Sequence, residues 1–448
     1  MASNLEEPEK HGGPHHSSSK LRVLMLASEW GSSKGGLSTI NRELAINLAR
    51  FDEVHVTFFV PRCNDEDERA ASNHRINLLR ATKRPGFDEL DWLNYPPLDL
   101  NFDIVVGHGV KLGRQAQIVR ESHKCKWVQV AHTAPEELAM YKKYPDPISS
   151  GERKHETEVE LCKLADFVVT VGPKLYETFF SYLSSCKKDQ MIFSFTPGIF
   201  REFSGVSQVS DRKGKFRVLL CGRGDAEDFS LKGYDTAAKA VAKLRDTHLT
   251  FVGAPEGKLD ELKNLFFNCG ISDDNLILRS FTPNRERLKD VLCETDLAVM
   301  PSKTEGFGLT GLEALSAGLP ILVSQNSGFG EALNEVLFGQ FFVIDSKSPE
   351  EWAKAIEKLR NQNRRKRLKE CEALRASYEE EYSWEKQSKE LIGKLIHMVH
   401  GMNFRFQWQF ISNGGNVFIF ASRQLPIWRR PVLVIPFFIV LSSSLFSQ

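Results

Sequence analysis

Short apolar runs alternate with helical stretches twice along this chain, and this repeated alternation limits the fold more than any other feature. A short, continuous apolar run is typical of a strand buried on both faces of a parallel sheet that helices cover. The first series of predicted strands covers residues 21–27, 54–60, 103–107, 126–131, 166–171 and 191–195. The second series covers residues 216–221, 249–253, 275–281, 296–300, 319–323 and 341–344. The pattern predicts an α/β protein with two similar domains.

A break at Pro197-Gly198, followed by a polar segment, separates the two series. We predict a first domain over residues 21–198, a linker over residues 199–215 and a second domain over residues 216–380. Two such domains leave a cleft between them. Ligands of parallel α/β sheets bind beyond the carboxyl ends of the strands, so we expect the functional site in this cleft.

The two ends of the chain differ in composition from these domains. Residues 1–20 are polar and lack the apolar run of a signal peptide, so we predict a disordered leader. The hydrophobic tail, residues 403–448, contains an uncharged stretch at residues 431–446. That stretch is shorter than the roughly 20 apolar residues of a usual spanning helix. A membrane anchor, a segment packed on the protein or on a lipid surface, and a tail without function all remain open.

Composition argues against several kinds of function. The 59 basic and 58 acidic residues leave a formal net charge of +1, which gives no support for nucleic-acid binding. The eight cysteines are scattered singly, so the sequence predicts neither a zinc site nor a redox pair. Free thiols fit a reducing compartment, and we therefore predict a cytoplasmic protein. We expect neither a bound metal nor another cofactor.

The segment Glu305-Gly-Phe-Gly-Leu-Thr-Gly-Leu-Glu313 lies between two predicted strands and reads as a Gly-rich turn followed by a short helix. Gly306 and Gly308 allow the backbone to pass close to a ligand, and the first amides of a helix favour phosphate. Carboxylates on both sides of a phosphate would be repelled by it. They suit the neutral hydroxyls of a nucleotide-sugar, which lie on its ribose and its sugar, one on each side of a diphosphate.

This segment resembles the donor-site motif of retaining glycosyltransferases of family 4, the glycogen-synthase-like and sucrose-synthase-like class. The resemblance implies the GT-B fold, in which two Rossmann-like domains enclose a cleft and a C-terminal helix crosses back to the first domain. We expect that crossover helix at residues 381–402, after a charged helix at residues 350–376. The resemblance also implies that Glu305 acts on the donor sugar and Glu313 on the ribose. The donor would further contact Gly306, Phe307, Gly308, Leu309 and Thr310.

Further residues suit a diphosphate. Arg223 and Lys232 follow the first strand of the second series, and they resemble the family's pair of cations that grip the donor diphosphate. Nine positions separate them, a longer loop than the family's usual one. Two cations would make a metal unnecessary for balancing the leaving-group charge. In the first domain, Gly35 and Gly36 precede a helix and resemble the family's loop for phosphate and acceptor; they do not form a dinucleotide-binding fingerprint.

Polar side chains also follow strands of the first series. His132 matches the family's histidine near the donor sugar, which the resemblance makes a second catalytic residue beside Glu305. His108 follows another strand, and for it a structural and a functional role are equally open. Glu136 and Glu137 come soon after His132 and are weaker candidates for contact with an acceptor.

Together these residues and the resemblance that they carry imply a metal-independent, retaining glycosyltransferase of the hexosyltransferase type. Its donor would be a nucleotide-diphosphate sugar, with a UDP-sugar favoured, and its acceptor a carbohydrate, lipid or protein that the sequence does not identify. Two alternatives remain open. One is a catalytically weak module that binds or senses a nucleotide-sugar, and the other is a sugar-nucleotide epimerase of related fold.

Overall fold

The computed structural model describes residues 20–141, 147–184, 191–210, 214–280, 285–401, 407–413 and 416–422. Residues up to Ile392 form one compact unit, and residues from Gly393 onward form a second. The first unit contains two separate parallel sheets with helices between their strands. The prediction of an α/β fold is therefore confirmed. The exact domain boundaries inferred from the sequence stay predictions.

The first sheet has seven strands, in the order β3-β2-β1-β4-β5-β6-β7. Their bounds are β1 Leu21–Leu26, β2 Val54–Val60, β3 Asn77–Arg80, β4 Ile104–His108, β5 Lys126–Ala131, β6 Phe167–Val171 and β7 Met191–Phe195. The helices of this half are α1 Gly36–Leu48, α2 Asp65–Ser72, α3 Gly109–Ser122, α4 Pro135–Ala139, α5 Pro147–Leu164 and α6 Pro173–Leu183, with a 3-10 turn at Glu89–Asn94.

The second sheet has six strands, in the order β10-β9-β8-β11-β12-β13. Their bounds are β8 Phe216–Cys221, β9 Thr247–Ala254, β10 Leu276–Ser280, β11 Leu297–Met300, β12 Ile321–Ser324 and β13 Val343–Ile344. The helices are α7 Ala226–Phe229, α8 Tyr234–Ala242, α9 Leu259–Phe267, α10 Arg285–Glu294, α11 Leu309–Ser316, α12 Gly328–Asn334, α13 Pro349–Arg360, α14 Arg364–Glu381 and α15 Trp384–His400. Three 3-10 turns lie at Arg201–Phe203, Asp273–Asn275 and Gly339–Phe342.

Both sheets reverse their strand order next to their first strand. In the first sheet β1 lies between β2 and β4, and in the second sheet β8 lies between β9 and β11. All the pairings within these two sheets are parallel. The loops at the carboxyl ends of the strands beside such a reversal diverge and leave a crevice, which is where open α/β sheets bind ligands.

Two sequence-based expectations need correction. The predicted single helix at residues 350–376 is two helices, α13 and α14, because Asn363 begins a new helix by accepting a hydrogen bond from the Arg365 amide. Strand β3, at the edge of the first sheet, was not predicted. Its sequence, Asn-Leu-Leu-Arg, has only two apolar residues, both of them only partly buried.

The end of the second half packs against the segment that joins the two halves. The Tyr378 hydroxyl donates to the Pro197 carbonyl at 2.8 Å. The Gln387 side chain donates to the Thr196 carbonyl and accepts from the Thr196 amide, both at 2.8 Å. A Cβ on Gly198 would come within 2.4 Å of the Tyr382 carbonyl oxygen, so the close approach requires glycine. Helix α15 thus begins with contacts to the joining segment.

The second unit contains an antiparallel hairpin of β14, Gln407–Asn413, and β15, Asn416–Ser422. The predictions for the leader, residues 1–19, and for the uncharged stretch, residues 431–446, lie outside the described residues. Within the part of the chain that the structure describes, no helix combines the length and apolar character that crossing a membrane requires.

Candidate functional site

Glu305 stands at the end of a turn that is held by backbone contacts. Its amide donates to the Asn326 carbonyl at 3.1 Å, and it forms a parallel bridge with Ser327. Gly308 follows in the left-handed region, with φ of 109°, and a Cβ there would lie 2.6 Å from the Met300 side chain. Helix α11 begins at the next residue. The sequence therefore forms the predicted Gly-rich turn and short helix after strand β11.

Lys232 and Glu305 form an ion pair at this turn. The Lys232 Nζ donates to both carboxylate oxygens of Glu305, at 2.7 and 2.8 Å, and the Ser302 hydroxyl adds a third contact at 3.2 Å. Gly233 allows the loop that carries Lys232 to approach Pro301 closely. Its backbone has a left-handed conformation, and a Cβ there would lie 1.9 Å from the Pro301 carbonyl oxygen. The longer loop before Lys232 therefore does not keep this lysine away from the motif.

Glu313 is buried on α11 and has a different cation. The Arg285 Nη1 donates to its carboxylate at 2.7 Å, and the Arg285 Nε donates to Glu202 at 3.0 Å. Burial raises the pKa of Glu313, and the Arg285 charge opposes that shift. The pKa of Arg285 is raised because its two carboxylate partners outweigh its burial. The motif thus places its two carboxylates in two separate ion pairs.

Arg223 is not brought into contact with the motif carboxylates in this structure. Its side chain is 67% exposed, and its Nε lies 3.6 Å from Asp225. Its backbone carbonyl accepts a hydrogen bond from the Tyr234 hydroxyl at 3.3 Å. Arg223 stands near the carboxyl end of β8 with its guanidinium largely in solvent.

The predicted histidines of the first half meet each other. The His108 Nδ1 and the His132 Nε2 are 2.8 Å apart, and the ring centroids are 5.1 Å apart. Burial lowers the pKa of His132 to about 3 and lowers the pKa of His108 well below its ordinary value, with the neighbouring ring adding to the effect on His108. Both imidazoles are therefore neutral near pH 7.

The first half touches the motif through its backbone and its Gly-rich loop. A Cβ on Gly306 would lie 2.3 Å from the His132 carbonyl oxygen, so His132 and the motif turn are adjacent. A Cβ on Gly36 would lie 3.2 Å from a methyl group of Leu309, so this loop lies beside the start of α11. Gly35 precedes α1 with φ of 104°, a conformation that favours glycine. The structure thus brings predicted residues from both halves to one place.

A group of polar contacts between Lys174, Glu137 and Thr304, here called the seam, completes this site. The sequence analysis did not predict most of these contacts. The Lys174 Nζ donates to the Thr304 hydroxyl at 2.8 Å and forms an ion pair with Glu137 at 2.7 Å. Next to it, a Cβ on Gly172 would lie 2.6 Å from the Phe307 ring. Lys174 follows the carboxyl end of a predicted strand, and that position was a signal that could have found it.

Two other features bear on ligands. Glu136 is held away from the seam, because it accepts from the Tyr182 hydroxyl and lies 3.7 Å from the His155 Nε2. Among the described residues, no group of three or more His, Cys, Asp or Glu side chains is arranged to hold a metal ion.

Residues 24–391 match the model of the protein family described as "Family 4 Glycosyltransferase in conflict systems". The chain belongs to this family of glycosyltransferase enzymes. The match includes every residue of the site described above and both parallel sheets except the first three residues of β1. The recognition made from the donor motif is therefore confirmed.

Curated relatives of this glycosyltransferase include two proteins named D-inositol 3-phosphate glycosyltransferase. The one from Arthrobacter sp. (strain FB24) is 33% identical over 172 residues, which are 37% of this chain and 38% of that relative. The one from Corynebacterium urealyticum is 25% identical over 317 residues, which are 65% of this chain and 71% of that relative. The match to the first relative thus spans well under half of that protein's length.

Solved structures confirm the GT-B architecture of this glycosyltransferase. Sucrose-phosphate synthase from Thermosynechococcus elongatus superposes with a TM-score of 0.67 at 16% identity, covering 85% of this chain and 100% of that chain. Anabaena HepE, solved in complex with UDP-glucose, superposes with a TM-score of 0.62 at 16% identity, covering 84% of this chain and 100% of that chain. At this identity the likeness concerns the fold alone.

Proposed function

We propose that this enzyme transfers a sugar from a UDP-sugar to an acceptor, with retention of configuration at the anomeric carbon and without a metal. The observation that carries the proposal is the pairing of each motif carboxylate with its own cation, Lys232 with Glu305 and Arg285 with Glu313. The two pairs lie at the first and last residues of the motif, residues 305–313, whose turn and first helical amides would bind a diphosphate. A nucleotide-sugar has the same order of groups: sugar, diphosphate, ribose.

The diphosphate would bind between the two pairs. A lysine ammonium has three N–H donors. Two of those on Lys232 reach Glu305, so the third is available for a phosphate oxygen. The first amides of α11, after Phe307 and Gly308, would add neutral donors, and the exposed Arg223 would turn toward the second phosphate. This set of donors would stabilise the charge of the leaving diphosphate.

The sugar would lie between Glu305 and His132. A carboxylate accepts hydrogen bonds from sugar hydroxyls, and a neutral imidazole can donate or accept one. Because the His108 Nδ1 shares a proton with the His132 Nε2, the tautomer of one ring fixes the tautomer of the other. His108 would therefore orient the His132 ring without touching the sugar.

In the proposed reaction, the bond between the anomeric carbon and the phosphate oxygen breaks, and the acceptor oxygen forms a new bond on the same face of the sugar. The acceptor proton passes to the departing phosphate. Water must be excluded so that the donor is not hydrolysed. The close approach of Gly306 to His132 and the hydrogen bond from Lys174 to Thr304 would help to exclude water on one side.

The relatives guide the choice of substrates to test. The UDP-glucose bound in the HepE structure supports a UDP-sugar as the first donor. The name of the curated relatives supports inositol phosphate as the first acceptor, with other carbohydrates, lipids and proteins to follow. The acceptor class otherwise stays open.

The decisive experiment incubates the protein with a panel of UDP- and GDP-sugars, with and without acceptor. Released nucleotide and the product linkage are measured together. We expect UDP release that depends on acceptor, and an α-linked product from an α-linked donor. An inverted linkage would contradict retention. Nucleotide-sugar binding without turnover would favour the sensing module, and a new epimer formed without acceptor would favour the epimerase.

A further inference from the structure

Arg285 connects the carboxylate at the end of the donor motif to the segment between the two halves. It is the first residue of α10, and its Nη1 donates to Glu313 at 2.7 Å. Its Nε donates to Glu202 at 3.0 Å, and its Nη2 contacts the same carboxylate. Glu202 belongs to the 3-10 turn Arg201–Phe203, whose Phe203 ring lies 4.8 Å from the guanidinium carbon. One guanidinium thus binds two carboxylates from two parts of the fold.

The charges around this guanidinium continue into the first half. Arg42 on α1 lies 3.9 Å from Glu202. Its neighbour Glu43 is buried, and burial raises the pKa of Glu43 to about 7, with Glu202 adding to the shift and Arg42 opposing it. On the other side, Cys221 of β8 faces Glu313, and its thiol pKa is raised by burial and by that carboxylate. Among the residues that the structure describes, these are the titratable and charged groups that interact with the Arg285–Glu313 pair.

The ionisation of Glu313 depends on this arrangement. Glu313 is 9% exposed, and a carboxylate so placed favours the protonated form unless a cation compensates it. A protonated carboxyl group donates through its O–H and is a weaker, less complete acceptor of hydrogen bonds from hydroxyls than the carboxylate is. Arg285 occupies one side of the carboxylate and opposes the rise of its pKa, and the remaining lone pairs face away from the guanidinium.

We infer that Arg285 is a positioning residue for nucleotide recognition: it holds Glu313 ionised and oriented toward the ribose, and through Glu202 it ties that carboxylate to the segment between the two halves. This inference rests on the proposed function, in which Glu313 binds ribose. Arg285 acts through Glu313 and need not touch the nucleotide. Ribose recognition and the position of the joining segment would then depend on each other.

The test compares nucleotide affinity across pH in wild type and in Arg285→Gln. The probe is UDP, with GDP and ADP measured beside it, because all three share the ribose diphosphate. We expect Arg285→Gln to weaken UDP binding about 10- to 100-fold at pH 7, as for a lost charge-assisted contact. Without the cation the pKa of Glu313 rises further, so the ratio of variant to wild-type dissociation constants should shrink as the pH is raised. The titration of the UDP phosphate is common to both proteins and cancels in that ratio.

Two further variants separate charge from packing. Arg285→Lys keeps the positive charge, so Glu313 stays ionised, and the ratio of its dissociation constant to that of wild type should be small and constant with pH. Glu202→Gln removes a negative charge that raises the pKa of Glu313. In that variant the loss of UDP affinity on acidification should move to lower pH than in wild type. This second result remains measurable if Arg285→Gln does not fold.

The outcomes distinguish this inference from the proposed function. If wild type binds none of the three nucleotides, the proposed function is wrong and the inference is wrong with it. If wild type binds UDP but the Arg285→Gln ratio is the same at every pH, Arg285 does not control the charge of Glu313. If UDP affinity falls over the same pH range in Glu202→Gln as in wild type, Glu202 does not link Glu313 to the joining segment. That result would leave the proposed nucleotide site intact.

Discussion

The two sides of the site hold their polar groups in different ways. On the side of the second sheet, Glu305 and Glu313 each have a cation 2.7 Å away. On the side of the first sheet, His108 and His132 share one hydrogen bond and burial keeps both rings neutral. Paired charges suit a diphosphate, and neutral donors and acceptors suit sugar hydroxyls. Under the proposed function, one half would bind the charged part of the donor and the other half would face its uncharged part.

The largest expected effect comes from removing the Lys232 cation. Lys232 belongs to the side of the second sheet, here called the charged side, where each motif carboxylate is paired with a cation. Lys232→Ala removes a cation from the diphosphate and leaves Glu305 without its partner. We expect turnover to fall about 100- to 1,000-fold, as when one donor to a transition-state anion is lost. Nucleotide release measures this. The matched control is Lys243→Ala, which breaks an exposed ion pair with Glu350 and should leave turnover nearly unchanged. Equal losses in both variants would contradict the assignment.

The next prediction separates the two ends of the charged side. Glu313→Ala should weaken UDP binding about 10- to 100-fold, because it removes the acceptor for ribose hydroxyls. Glu305→Gln should lower turnover with the full donor more than it lowers affinity for UDP, because UDP carries no sugar and Lys232 is left free for phosphate. Calorimetric titration with UDP, beside turnover, gives both values. If the two variants lose UDP affinity equally, the division between sugar and ribose is wrong.

A smaller effect is expected at Arg223, which is largely exposed. Arg223→Ala should weaken UDP binding on the order of 10-fold, the lower part of the range for a contact between a charged donor and phosphate, because solvent screens an exposed cation. Titration with UDP in low and high salt tests this, and the loss should be larger in low salt. Unchanged affinity in a folded variant would remove Arg223 from the site.

The neutral histidines on the side of the first sheet should affect how the free energy of unfolding depends on pH. The pKa of His132 falls from its ordinary 6.5 to about 3 in the folded protein. Below pH 6.5 the unfolded chain therefore binds a proton that the folded protein does not, so stability decreases as the pH falls toward 3. One such residue contributes a slope of about 1.4 kcal/mol per pH unit. In urea unfolding at pH 7, 6 and 5, His132→Gln should show a shallower decrease than wild type; identical slopes would contradict a neutral, buried His132.

The smallest expected effect is that of chelation. Because protein cations would balance the leaving diphosphate, activity should survive EDTA. Nucleotide release is measured after dialysis against the chelator, with magnesium and manganese added back. Complete loss that manganese restores would show that the charged side is insufficient by itself.

Buried strands and the donor turn could be predicted from the sequence because their signals are local. The strands at residues 54–60, 126–131, 191–195 and 216–221 have the predicted bounds, since apolar residues predominate in each of these short segments. The glycines of residues 305–313 likewise mark a turn whose backbone only glycine tolerates at two close approaches.

The partners of the motif could not be predicted, because they are distant in sequence. Arg285 and Glu202 are 83 positions apart, and Lys174 and Thr304 are 130 positions apart. The position of Lys174 after a predicted strand places it near the site, but nothing in the local sequence identifies its partner. The contact between Glu137 and Thr304 could not be predicted for the same reason, because these residues are distant in sequence and meet only in the folded protein.

The contacts that hold the joining segment have a consequence for the order of synthesis. The Tyr378 hydroxyl donates to the Pro197 carbonyl, 181 positions earlier, and the Trp384 Nε1 donates to the Ile199 carbonyl, 185 positions earlier. Domains tend to fold one after another as the chain leaves the ribosome. The first sheet can thus be complete while the partners of its exit segment are still untranslated. A nascent chain released before Tyr378 would contain every strand of both sheets and still lack the hydrogen bonds from Tyr378 and Trp384 to the joining segment.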